Sequence, residues 1–74
     1  MQWQIRVLNE LGTFESNARE LTDDELAALH AGLGRLHEMT QLTLDLASGG
    51  KVYFGPDLLR RSVVAVVRPK YGEA

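Results

Sequence analysis

The run Val63-Val64-Ala65-Val66-Val67 constrains this chain more than any other stretch of it. Successive side chains of a strand point to opposite faces, so five consecutive apolar residues make a strand that is apolar on both sides. Both sides must then be covered, and the 74 residues contain only one good helix with which to do it. The second cover is expected from another copy of the chain or from a larger partner, with an unassigned segment of the same chain as the other source. Alternation leaves two sets, Val63, Ala65 and Val67 or Val64 and Val66. One set faces the helix and the other is the expected interface, with the aromatic residues Trp3 and Tyr53 as further core or interface anchors.

The length sharpens this expectation. A chain of 74 residues has room for one domain, spanning residues 1–74. A domain of that size buries only about 60% of the surface its unfolded chain exposes, so it is marginal when alone. There are no cysteines, which excludes disulfides and thiolate metal sites, and two histidines do not complete a structural zinc site by themselves. Oligomerisation is the remaining way to stabilise so small a fold.

The elements can be placed in order. Trp3, Ile5 and Val7 alternate with Gln2, Gln4 and Arg6, which predicts a first strand ending near Leu8. Gly12 marks a turn, and Thr13–Ser16 is expected to return as a short second strand. Thr22-Asp23-Asp24-Glu25 has the pattern of a capping box, with Leu21 and Leu26 placed for a hydrophobic staple, and predicts a helix over 23–38. Its apolar stripe is Leu26, Leu29, Leu33 and Leu36, and Gly32 and Gly34 are expected to let a neighbouring backbone approach.

Leu42, Leu44 and Leu46 alternate with Thr43 and Asp45 as a further strand. Gly49-Gly50 predicts a two-residue hairpin turn, and Lys51–Phe54 returns with Val52 and Phe54 on one face. Pro56 suits the first position of a short helical turn reaching Arg61. Residues 62–68 form the last strand, Pro69 closes it, and Lys70–Ala74 is read as a mobile tail. The fold class expected from this order is α+β, a small, mostly antiparallel sheet of about four strands with one amphipathic helix packed on one face.

No motif specifies a reaction. His30 and His37 are seven residues apart, which places them on one face of the expected helix but too far apart to share a metal, since ligands on one helix use spacings of three or four. Asp23, Asp24 and Glu25 are accounted for by capping. Gly49-Gly50-Lys51 is followed by Val52 and a strand, whereas a phosphate loop requires Ser or Thr and a helix. No catalytic, cofactor-binding or metal-binding residue is assigned, and the chain is read as a non-enzyme.

Charge supplies the alternative. Residues 1–50 carry three arginines against eight acids, a balance of −5, and residues 51–74 carry five basic residues against two acids, a balance of +3. Opposed signs favour association with a second copy or a charged partner. Lys51, Arg60, Arg61, Arg68 and Lys70 are the residues available for an acidic partner or for nucleic acid, with Tyr53 able to stack a base. The overall charge of −2 argues against a general nucleic-acid binder.

The longest apolar run is five residues, so no membrane segment is expected, and Met1-Gln2-Trp3-Gln4 lacks the layout of a signal peptide. A cytoplasmic location, or assembly into a particle made in the cytoplasm, is the expectation. The leading functional reading is a structural or protein–protein interaction module that forms a homo-oligomer or docks on a larger assembly. An accessory component of a bacterial or viral assembly, such as a virion component, fits that size and class. The alternative is a small regulatory module that binds nucleic acid through Arg60, Arg61 and the C-terminal basic residues.

Overall fold

The alternation at the start of the chain produces β1 (Gln2–Asn9), and this strand is the centre of the fold. The structure, a computed structural model, describes residues 1–69, so the reading of residues 70–74 as a mobile tail lies outside the described residues. β2 (Gly12–Glu15) returns antiparallel beside β1, pairing Asn9 with Gly12 and Arg6 with Glu15. β3 (Arg19–Glu20) resumes the pairing beside Trp3 and Gln2. Between Arg6↔Glu15 and Trp3↔Arg19 the returning chain uses four steps against three on β1, so an extra residue is accommodated as a bulge around Ser16–Ala18. β6 (Val63–Val67) pairs with Gln4–Leu8, and since β2 also pairs with Arg6, Val7 and Leu8, β6 occupies the opposite edge of β1.

A second, two-stranded unit is made by β4 (Leu42–Asp45) and β5 (Lys51–Phe54). It is stitched to the first sheet at the bulge. Ser16 bridges Leu46, the Asn17 N–H donates to the Asp45 carbonyl and the Ala47 N–H to the Glu15 carbonyl, each at 3.0 Å. The predicted two-residue turn at Gly49-Gly50 is instead a three-residue loop of Ala47, Ser48 and Gly49. It is closed by Gly49 N–H to the Leu46 carbonyl and Leu46 N–H to the Gly50 carbonyl, both 3.0 Å. Gly49 and Gly50 have φ of 98° and 87°, a region open to glycine without strain, and this is why the pair is there.

The hairpin covers the core face. Val7, Leu44, Phe54 and Leu59 are fully buried, with Ile5, Phe14, Leu36, Met39, Leu42, Val52 and Val64 packed around them. Phe14 and Phe54 meet edge to face, ring centroids 5.3 Å apart at 80°. Leu59 comes from α2 (Pro56–Arg60), which Gly55 caps and Pro56 starts, as expected from its fixed φ.

The capping box forms as predicted. Glu25 N–H donates to Thr22 Oγ1 at 3.2 Å, and Thr22 N–H donates to Glu25 Oε1 at 2.9 Å. The helix that follows, α1 (Asp23–Leu33), stops five residues before the predicted 38, and a separate 3-10 turn spans Leu36–Glu38. Gly32 and Gly34, six and four positions before the predicted end and each costing about 1 kcal/mol relative to alanine, withdraw the propensity needed to continue. The expected close approach at those glycines is absent. A Cβ on Gly32 would meet nothing within 4 Å, and one on Gly34 would meet only the carbonyls of Ala31 and His30 at 3.4 Å.

The class is the expected small α+β fold, an antiparallel sheet of four strands joined by the two-stranded β4–β5 unit, with one main helix. α1 contributes differently from an element that spans the sheet. None of its residues is fully buried, and Leu29 reaches Trp3, Ile5 and Leu21 around a small cleft of about 80 Å³ at one end of β1.

Candidate functional site

The structure separates the two faces of β6. Val64 lies opposite Val7, the fully buried residue of β1, and packs on the core, and Val66 lies opposite Ile5. Val63, Ala65 and Val67 therefore point away from the core, opposite Leu8, Arg6 and Gln4 respectively. Of the two sets that alternation leaves open, this one is outward. Its members are unequally covered: Val63 is 65% exposed, while Ala65 and Val67 are half-buried.

Leu8, the expected end of β1, belongs to the same surface, at 39% exposed. The signal for it was present. Alternation assigns Leu8 to the wet face of a strand whose buried face carries Trp3, Ile5 and Val7, so a leucine there breaks the pattern. The apolar residues of β6 thus continue onto β1 at the Leu8–Val63 pair. Further along β1, the face turns polar. Arg6 Nε donates to Glu15 Oε2 at 2.8 Å, and Nη2 lies 2.7 Å from the same oxygen, which ties β1 to β2 across the outer surface. Gln4 is buried and donates through Nε2 to the Ser16 carbonyl at 2.9 Å.

The other two expected interface residues lie elsewhere. Trp3 has the parity of Ile5 and Val7, on the core side of β1, and is half-buried in the cleft with Leu21 and Leu29. Tyr53 is 63% exposed beside Lys51 on the outside of the β4–β5 hairpin. Neither joins the outward face of β6.

The basic residues are mostly paired. Lys51 Nζ lies 3.5 Å from Asp45, Arg60 Nη1 3.4 Å from Asp57, and Arg61 Nη1 2.9 Å from Glu10. Arg60 lines a cleft with Leu36, His37 and Met39, whereas Arg61 lines a groove of about 460 Å³ with Glu10, Leu11 and Pro56. The adjacent arginines thus serve different grooves, each beside an acid that reduces its field. Arg68 is exposed just beyond β6, and Lys70 lies outside the described residues.

His30 sits in α1 and His37 in the 3-10 turn, so the break after Leu33 removes the shared helix face expected from their spacing. Among the described residues, no group of three or more histidines and carboxylates is placed to hold a metal ion. The Glu25 carboxyl is held below its ordinary 4.5 by the hydrogen bonds to the Thr22 backbone and hydroxyl. No helix among the described residues is long and apolar enough to cross a membrane. No protein-family model, curated protein or solved structure matches the chain.

Proposed function

We propose that this protein is a non-enzymatic interaction module that self-associates or docks on a larger assembly through the outer face of its sheet. The observation that carries the reading is Val63, 65% exposed beside Leu8 in a fold with only four fully buried apolar residues among the described ones, Val7, Leu44, Phe54 and Leu59. A core that small leaves little stability in reserve, and a valine open to water on a regular strand is surface that association would bury at about 25 cal/mol per Å². The paired and divided arginines weaken the nucleic-acid alternative, because acids at 2.9–3.5 Å offset the charge that phosphate would need.

The test is the solution mass by light scattering over a hundredfold dilution, at low and high salt, for the wild type, Val63→Lys and Ala65→Lys. An apolar interface keeps the wild-type mass at high salt, and either lysine lowers it to that of the monomer while helicity is retained. An oligomer or complex that persists unchanged in both variants overturns the reading. So does binding to nucleic acid that weakens steeply as salt rises and needs Arg60 and Arg61.

A further inference from the structure

The direction of the backbone groups in β6 follows from those of β1. The Ser16 N–H donates to the Ile5 carbonyl at 2.9 Å, and the Ile5 N–H donates to Ser16 Oγ at 2.8 Å, so both polar groups of Ile5 point toward the β2 side. A residue's N–H and C=O leave an antiparallel strand on the same side, and neighbours alternate. The groups of Gln4, Arg6 and Leu8 consequently point toward β6. Their partners Val67, Ala65 and Val63 are the residues whose backbone groups are used in that ladder. The N–H and C=O of Val64 and Val66 point out of the opposite edge, and no strand pairs with that edge among the described residues.

This edge lacks the devices that keep exposed edges from pairing. From Val63 to Val67 there is no charge, proline, glycine or bulge. β5, which also has a single strand partner among the described residues, carries Lys51. The sequence of β6 is moreover close to self-complementary about Ala65. An antiparallel second copy centred there sets Val63 against Val67, Val64 against Val66 and Ala65 against Ala65, and the first charge, Arg68, falls opposite Ser62. Moving the centre to Val64 sets Val67 against Arg61, and moving it to Val66 sets Val64 against Arg68. Only the Ala65-centred register pairs all five apolar residues with one another. It also matches the hydrogen-bonding parity, because Val64 and Val66 exchange their outward groups and Ala65 falls at a non-hydrogen-bonded position.

We infer that two copies of this chain join edge to edge through β6, antiparallel about Ala65, making one continuous sheet. This rests on the self-association reading above and adds to the face contact a second one, along the edge beside it. The outer faces of both copies then merge into one strip, Val63, Ala65 and Val67 of one beside Val67, Ala65 and Val63 of the other. The small side chain at the centre is where two strands at a non-hydrogen-bonded pair come closest, with Cα atoms about 4.5 Å apart.

That distance supplies the test, since a disulfide needs Cα atoms within about 7 Å and sheets stacked face to face are about 10 Å apart. The chain has no cysteine, so an introduced one reports alone. Ala65→Cys is oxidised at a concentration at which the wild type is oligomeric, beside Thr13→Cys on exposed β2 as the reference. The expected result is a disulfide dimer from Ala65→Cys formed at least tenfold faster than from Thr13→Cys. A mixture of Val63→Cys and Val67→Cys chains gives the mixed dimer faster than either gives its own, and this second route serves if Ala65→Cys does not fold. A wild-type oligomer that Val63→Lys dissociates, with none of these disulfides favoured, overturns the edge geometry and leaves the sheet-face reading standing. A wild-type monomer at every concentration, with no favoured disulfide, overturns the β6 dimer.

Discussion

Replacing Phe54 tests the arrangement on which everything above depends, the folding of the β4–β5 hairpin over the core face of β1. Phe54 is 1% exposed and its ring meets that of Phe14 at 5.3 Å, edge to face. Truncating a fully buried phenylalanine to alanine costs about 3–5 kcal/mol, of which the aromatic pair accounts for about 0.5–1.5 kcal/mol. At about 0.05–0.15 kcal/mol per residue, a domain of 74 residues has a total stability of about 4–11 kcal/mol. Phe54→Ala is therefore expected to remove about a quarter of the stability or more, and to unfold the protein if its total lies at the bottom of that range, near 4–5 kcal/mol. The assay is urea unfolding followed by circular dichroism at fixed protein concentration, with Phe54→Leu as the milder variant at about 1–2 kcal/mol. Combining Phe54→Leu with Phe14→Leu should give a coupling of about 1 kcal/mol, because the two rings touch. A loss below about 1 kcal/mol for Phe54→Ala would refute the reasoning, since a residue on the core side of a docked hairpin cannot be removed so cheaply.

Two further outcomes follow from local geometry. Gly32→Ala is expected to stabilise the protein by about 0.4–1 kcal/mol in thermal or urea unfolding, because the position is helical and the added methyl meets nothing within 4 Å; destabilisation would mean that a neighbour packs there. Thr22→Ala should cost about 1 kcal/mol through loss of the cap. The same box sets an acid dependence. Glu25 has a folded pKa below its ordinary 4.5, so its contribution is present above that value and is lost as pH falls through the folded one. Glu25→Gln should flatten this part of the stability profile, and an unchanged acid slope would show that the carboxylate is not held by Thr22.

What was legible in the sequence was what neighbouring residues decide among themselves. The capping box needs only Thr22 and Glu25, and α1 begins where they place it. β1 and β2 follow from alternation and from Gly12, whose φ of 127° makes the turn. The helix end depends on a local conflict, in which the leucine stripe favours continuation to Leu36 and Gly32 and Gly34 oppose it, and the glycines end the regular helix at Leu33. The loop length at Gly49-Gly50 was less readable, because two positive-φ glycines suit both a two-residue turn and a three-residue loop with the second glycine beyond it. The inward face of β6 was not readable at all. Val63 and Val64 are the same residue type, and their fates differ because Phe54 and Leu59, from elements elsewhere in the chain, fill the space on the Val64 side. Trp3 and Tyr53 are both aromatic, yet one lies in a cleft and the other on the hairpin's outer surface, a distinction set by tertiary placement.

The placement of β6 beside β1 also has a consequence for the order of events during synthesis. β1 finds its first neighbour within a few residues, since β2 follows a tight turn, but its other neighbour is translated last among the six strands. The contact from Gln4 to Val67 spans almost the full described chain. Until β6 leaves the ribosome, which adds roughly 5–20 residues per second, the central strand of the sheet has an open side and Val7 has no Val64 beside it. A nascent chain halted after α2 would present that side to other chains. Among the described strands, the last to be made is thus the one that closes the open side of the first, after several seconds of every round of translation.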